Sequence, residues 1–201
     1  MKSSQHDAYA ADYDAQVRTH ACYITDLVFG LCYETMRPGQ SLLDVGTGSG
    51  LSAQLFARAG LHVSGMDFSP VMLDICRAKG FFTDLQQHDL TVIPWPYPAN
   101  HFDHLVACGV FHFIPKLDSI VAEAGRLLKP GGLFAFTTRL PCADLHGEPY
   151  ALHQAGEFEI FSHSPAYIET LLQQHSLFCL KLQKCFIGED IFLIWVSLKS
   201  A

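Results

Sequence analysis

An α/β fold is what the sequence predicts: a doubly wound, mainly parallel seven-stranded sheet with helices on both faces and a C-terminal antiparallel hairpin. Three observations predict it. Five strand-like apolar runs between Ser41 and Thr138 are separated by helical patterns or turn-rich stretches, the alternation that builds parallel sheets. The run Leu42-Leu43-Asp44-Val45 leads directly into Gly46-Thr47-Gly48-Ser49-Gly50, reading as strand, tight turn and helix start. The last apolar runs, Leu177 to Phe186 and Ile191 to Leu198, are joined by Gly188-Glu189-Asp190, a hairpin turn by composition.

Taken in order, Val17, Ala21, Ile24, Val28 and Leu31 recur every three or four residues. They predict an amphipathic helix from Tyr13 to Thr35, ended by Arg37-Pro38-Gly39. The first strand begins at Ser41; the helix from Leu51 stops at Gly60, a residue suited to the left-handed position past a helix end. His62 to Asp67 is the second strand. Ser69 can cap the next helix, with Pro70 in its first turn and Gly80 closing it. The third strand lies within Phe81 to Asp89. Pro94-Trp95-Pro96-Tyr97-Pro98 lacks ladder donors and reads as a stiff surface connection, with Trp95 and Tyr97 packing along it.

His104 to Cys108 is a fourth buried strand. The helix after it presents Leu117, Ile120, Val121, Ala124, Leu127 and Leu128 on one face and halts at Lys129-Pro130-Gly131-Gly132. Leu133 to Thr138 is the fifth strand. Arg139 to His163 shows no clear period and is long for a connection, a length usually tied to function. Ser164-Pro165 starts a further helix with Ile168, Leu171 and Leu172 inward. We therefore read 1–201 as one domain, with 1–36 as an N-terminal helical cap and 139–163 as a lid or acceptor-binding insert.

Composition narrows the function. A chain of 201 residues with 49% hydrophobic and 16% charged residues supports one sizeable core. A formal charge of -7 argues against a nucleic-acid surface, because phosphate contacts need clustered Lys and Arg. The expected partner is a small molecule. No apolar run approaches the ~18 residues that span a bilayer, and the polar N-terminus does not resemble a signal peptide; the expectation is a cytoplasmic protein without a membrane partner. Seven cysteines without a Cys-x-x-Cys pair read as free thiols of a reducing compartment. Asp144, His146, Glu148, His153, Glu157 and His163 have no ligand-like spacing, so no metal is expected.

The chemistry concentrates at the strand ends. Glycines at 46, 48 and 50 let the backbone turn sharply and let a ligand lie against it, while the following helix points free N–H groups at that ligand. Asp67 ends the second strand about twenty residues on, the spacing at which nucleoside-binding βαβ units keep a carboxylate for ribose hydroxyls. Glycine loops alone also mark ordinary turns. Strand, glycines, helix, strand and acid in that order form a much stronger signal.

Leu42 to Gly50, Gly65-Met66-Asp67-Phe68-Ser69-Pro70-Val71-Met72-Leu73, His88-Asp89-Leu90, Phe102 to His112 and Arg126-Leu127-Leu128-Lys129-Pro130-Gly131-Gly132 together resemble the motifs of class I S-adenosylmethionine-dependent methyltransferases. The resemblance is to the small, minimally decorated kind related to quinone-biosynthesis methyltransferases, and it covers most of the chain. It implies a Rossmann-like fold, S-adenosylmethionine as cofactor and S-adenosylhomocysteine as product. It further implies that Gly46, Thr47, Gly48 and Gly50 shape the site of the amino acid end, with Asp44 supporting their loop. Asp67 would take the ribose, Phe68 and Met72 the adenine face, and Asp89 with the Leu90 backbone the adenine edge. Cys108 or Gly109 would approach the methionyl ammonium, and Tyr13, Arg18 and His112 would close the site.

Methyl transfer from a sulfonium is mostly positioning, worth roughly 7–11 kcal/mol when reactants are well oriented. A base is needed only if the acceptor must lose a proton; His112, just past the fourth strand, is the candidate by location, with His146, His153 and His163 as looser ones. Arg139 to His163 and Tyr9 to Arg18 would form the acceptor chamber. Two other functions stay open at this level. One is a non-catalytic S-adenosylmethionine-binding module. The other is a nicotinamide-dependent oxidoreductase, opposed by Gly-x-Gly-x-Gly in place of Gly-x-Gly-x-x-Gly and by the lack of a Tyr-x-x-x-Lys pair. The acceptor and the oligomeric state are not legible.

Overall fold

The structure, a computed structural model, describes residues 14, 17, 19, 22–156 and 158–200. Helix α1 (Ile24–Cys32) is followed by a single 3-10 turn (Tyr33–Thr35). Then come β1 (Ser41–Val45), α2 (Leu51–Arg58), β2 (His62–Asp67), α3 (Pro70–Lys79), β3 (Phe82–Gln87) and β4 (Phe102–Ala107). A 3-10 turn (Phe111–Phe113), α4 (Asp118–Leu127) and β5 (Leu128–Arg139) lead to β6 (Tyr150–Ala155), β7 (Phe158–His163), α5 (Pro165–Gln174), β8 (Leu177–Ile187) and β9 (Asp190–Lys199).

Seven strands form one sheet in the order β3-β2-β1-β4-β5-β9-β8. β1 to β5 are parallel, and β9 runs antiparallel to both β5 and β8. The order reverses between β1 and β4, the place where open α/β sheets receive ligands beyond their strand ends. One face packs α1 and α2 onto the sheet through Val28, Cys32, Phe56 and Ile194. The other packs α4 and α5 through Ile120, Leu127, Ile168 and Trp195. Helix α3 starts as its sequence suggests: Ser69 Oγ accepts from Met72 N at 3.1 Å, Pro70 fills the first turn and Gly80 closes it at φ +71.

Four stretches differ from the sequence expectation. The helix expected from Tyr13 to Thr35 is not continuous: Cys22 and Tyr23 are not helical, α1 runs from Ile24 to Cys32, and Tyr33–Thr35 is a 3-10 turn. The Pro94 to Pro98 connection is not merely superficial, because Trp95 is buried in the α4/α5 core. Its Nε1 donates to Leu90 O at 3.0 Å and its N–H to Glu123 Oε2 at 2.8 Å, while Arg126 Nη1 donates to Tyr97 O at 2.9 Å. The prolines remove donors, and α4 satisfies what is left. Strand β5 starts five residues early, with Leu128 opposite Phe102 and a register shift before Leu133 opposite His104; the Pro-Gly-Gly stretch is thus a bulge inside the strand. The insert after Arg139 contains a two-stranded antiparallel ribbon, β6–β7, from Tyr150↔His163 to Ala155↔Phe158. Its turn uses Gly156 at φ +61. Only a few of its side chains are buried, which blurs the alternation that would mark a strand.

Candidate functional site

The glycine loop is strapped from below. Asp44, fully buried in β1, accepts from Thr47 Oγ1 at 2.9 Å and Ser52 Oγ at 2.8 Å on one carboxylate oxygen, Oδ2. Burial pushes its carboxyl up to about 6, with the Ser52 and Thr47 hydroxyls pulling it down and the charge of Asp67 adding to the rise. Gly46 and Thr47 donate their N–H groups to Met66 O at 2.8 and 3.0 Å, so the loop hangs from β2 as well as β1. At Gly46, φ is +66 and a Cβ would lie 2.5 Å from Val110 Cγ2; at Gly48, φ is +52 and the space a Cβ would take is open. The loop therefore presents bare backbone to whatever lies above it.

Asp67, at the tip of β2, completes this half of the site. Its Oδ2 accepts from Gly48 N at 2.8 Å and its Oδ1 from Ser69 N at 2.9 Å. Asp67 lines a cavity of about 520 Å³ at the sheet's switch point, a size typical of small-molecule sites. Gly46, Thr47, Gly48, Phe68, Met72, Cys108, Gly109 and His112 line it too. The Gly109 N–H donates to Thr137 Oγ1 at 2.8 Å, which ties the β4 tip to β5. Burial drives the Cys108 thiol far above its ordinary range, so it lines the wall as an inert group.

Other sequence-predicted residues fall elsewhere. Asp44 and Gly50 stand behind the loop as supports; a Cβ on Gly50 would meet the Phe82 ring at 2.9 Å. Asp89 and Leu90 are not among the cavity-lining residues. The Asp89 carboxylate accepts from Thr91 N at 2.9 Å and Thr91 Oγ1 at 2.8 Å in its own turn, and the Leu90 side chain packs into the core. Tyr13 and Arg18 lie outside the described residues. Of the four histidines considered, His112 alone lines the cavity, its ring 5.6 Å from that of Phe192 and edge-on. His163 is fully buried and donates from Nε2 to Ile114 O at 3.0 Å, His153 pairs with Ser162 Oγ at 2.7 Å, and His146 sits in an exposed turn.

The far half of the cavity draws Arg139, Phe158 and Ile160 from the stretch expected to form the acceptor chamber, whereas Phe113 and the hairpin residues Ile187, Asp190 and Phe192 were missed at the sequence level. Phe113, Phe158, Ile160, Ile187 and Phe192 give it an apolar wall, with Arg139 and Asp190 at the ends of β5 and β9. Arg139 ends a buried strand after Leu133 to Phe136 and the buried Thr137 and Thr138, and a cation placed there was the available signal. Asp14 also reaches the loop: its carboxylate accepts from Ser49 Oγ at 2.5 Å and Lys79 Nζ at 2.6 Å. No group of three or more His, Cys, Asp or Glu able to hold a metal exists among the described residues, and no described helix is long and apolar enough to cross a membrane.

A family model described as a methyltransferase domain matches residues 43–136, which contain the glycine loop, Asp67 and the β4 tip. The chain is 35% identical over 94 residues to a demethylmenaquinone methyltransferase of Tropheryma whipplei, covering 47% of this chain and 39% of that protein. It is 34% identical over 123 residues to a ubiquinone biosynthesis O-methyltransferase of Nitrosococcus oceani, covering 57% and 52%. The matched stretch thus spans about half or less of these relatives' length. The structure also matches that of Burkholderia thailandensis 1,6-didemethyltoxoflavin-N1-methyltransferase, solved with bound 1,6-didemethyltoxoflavin and S-adenosylhomocysteine, with a TM-score of 0.73 at 17% identity over 98% of this chain and 88% of the other. That likeness is one of fold.

Proposed function

We propose that this chain, which belongs to the class I S-adenosylmethionine-dependent methyltransferases, transfers a methyl group from S-adenosylmethionine to a small-molecule acceptor. The observation that carries the proposal is the Asp67 carboxylate bonded to the Gly48 N–H at 2.8 Å inside one cavity. It unites an acid for ribose hydroxyls with a bare backbone cradle for the amino acid end. The residues fit such a nucleoside: Gly48 is open where a side chain would intrude, and Phe68 and Met72 offer apolar surface beside Asp67.

S-adenosylmethionine, when bound, supplies a methyl on a sulfonium whose departure leaves a neutral thioether. The chain's own part is to bind, orient and exclude water. Gly46, Thr47 and Gly48 receive the amino acid end, with Cys108 and Gly109 at the β4 tip on its other side. Asp67 fixes the ribose. Tyr13 and Arg18 are assigned to closing this end by motif resemblance. Asp89 and Leu90 would have to read the adenine edge from beside the cavity, through their backbone. His112 faces the acceptor half and is the residue placed to take a proton from an acceptor that must lose one. The apolar wall of Phe113, Phe158, Ile160 and Phe192 receives the acceptor's body, which assigns the β6–β7 ribbon, within 139–163, to acceptor binding.

A net charge of -7 supports a small acceptor over a nucleic acid. The free state of all seven cysteines supports a reducing, cytoplasmic location. Isothermal titration with S-adenosylhomocysteine tests the reading: saturable one-to-one binding is expected, and folded protein that binds none would overturn it. A metabolite screen for S-adenosylhomocysteine release then finds the acceptor.

A further inference from the structure

We infer that the acceptor is an apolar organic acid whose carboxylate is seated on Arg139. This deepens the methyltransferase reading above and rests on it. Arg139 is 8% exposed and, among the described residues lining the cavity, is the only one bearing a full positive charge. Its Nη2 donates to Asp190 Oδ1, while Nε and Nη1 are buried with no acceptor among the described residues. A guanidinium holds two carboxylate oxygens along one edge, Nη2 with Nε or Nη2 with Nη1; Asp190 takes Nη2 through one oxygen, so an acid that displaces it gains the neighbouring donor that is otherwise left unmet in the wall.

The position suits a substrate. Gly109 at the β4 tip is bonded to Thr137 of β5, and Arg139 lies two residues further along β5, about 7 Å beyond that contact at the usual strand rise. Across the ladder it pairs with Phe192, whose ring meets His112. An acceptor lying along Phe113, Phe158, Ile160 and Phe192 would therefore bring one end to the guanidinium and the other toward His112. Asp190 shows how the exchange occurs. Its side chain is 41% exposed and stands at the cavity, so it holds the guanidinium as a carboxylate until an incoming acid displaces it into water. Nearby, burial and then the charge of Arg139 lower the pKa of His153 against the opposing pull of Asp190.

The test compares cinnamate and decanoate with their primary amides by isothermal titration, on protein with and without saturating S-adenosylhomocysteine. At least one acid is expected to bind tenfold or more tightly than its amide. Arg139→Gln should abolish that preference while changing S-adenosylhomocysteine affinity less than twofold, and Asp190→Asn should tighten acid binding severalfold. Equal binding of acids and amides, a preference that survives Arg139→Gln, or equal losses of acid and S-adenosylhomocysteine in that variant would overturn the inference. Should Arg139→Gln fail to fold, the Asp190→Asn result decides: acid binding unchanged or weakened counts against it. Acid preference without S-adenosylhomocysteine binding would sink the cofactor reading and leave the acid site standing.

Discussion

Asp67 Oδ2 accepts a 2.8 Å hydrogen bond from the backbone N–H of Gly48, joining the carboxylate assigned to the ribose to the loop assigned to the amino acid end. Asp67→Asn keeps the shape but removes the charge and one acceptor oxygen. Charge-assisted bonds of this kind are worth about 1.5–3 kcal/mol, so S-adenosylhomocysteine affinity should fall roughly 10–100-fold. Titration of a variant with native circular dichroism checks this; an unchanged affinity would reject the assignment.

Gly46 tests the loop by sterics. A Cβ there would lie 2.5 Å from Val110 Cγ2 in a backbone at φ +66, so Gly46→Ala combines overpacking with left-handed strain. The expected cost is about 1–3 kcal/mol in urea denaturation, together with weaker S-adenosylhomocysteine binding. Stability and affinity both at wild-type levels would show that the loop does not hold this shape.

Asp44 gives a pH signature. Its carboxyl is raised from 3.8 to about 6, first by burial. The native state therefore binds this proton more tightly than the unfolded state, and the stability it contributes is complete below about pH 3.8 and is lost as pH rises through about 6. A shift of about two units corresponds to roughly 3 kcal/mol. Wild type should lose stability relative to Asp44→Asn between pH 4 and 7. Denaturation midpoints that run parallel across that range would contradict the assignment.

The sequence made the cofactor half legible because its physics is local. Glycines between an apolar strand and a helix, and an acid at the next strand tip, act within a few residues of one another. Asp89 looked equivalent to Asp67, yet Asp-Leu-Thr can close its own turn, and Thr91 takes the carboxylate. The acceptor half depends on long-range placement. Arg139, Asp190 and Phe158 meet only because β9 returns beside β5 and a sparsely buried ribbon lies nearby, and no local pattern announces that. Trp95 was misjudged for a similar reason: its neighbours are prolines, while the residues with which it shares a core, Ile120, Ala124 and Leu127, stand on α4.

His112 separates chemistry from binding. Using the acceptor found by the release screen, His112→Ala should lower kcat by about 10²–10⁴-fold if a proton is removed in the transition state, with S-adenosylhomocysteine affinity within twofold of wild type. An unchanged kcat would remove His112 from the chemistry and leave it as wall.

Glu123 serves as a control away from the cavity. It receives the Trp95 N–H at 2.8 Å and Arg126 Nε at 2.7 Å, and the Arg126 charge holds its carboxyl below the ordinary range against the pull of burial. Glu123→Ala should cost about 1–3 kcal/mol of stability with S-adenosylhomocysteine affinity unaltered. A large loss of affinity would mean that the Pro94 to Pro98 connection communicates with the site.

Soaking or co-crystallisation with S-adenosylhomocysteine addresses the whole account most directly. Density should place both ribose hydroxyls within hydrogen-bond reach of Asp67 and the homocysteine portion against Gly46 to Gly48. A nucleoside bound outside this cavity, or one whose ribose faces Arg139 in place of Asp67, would contradict it.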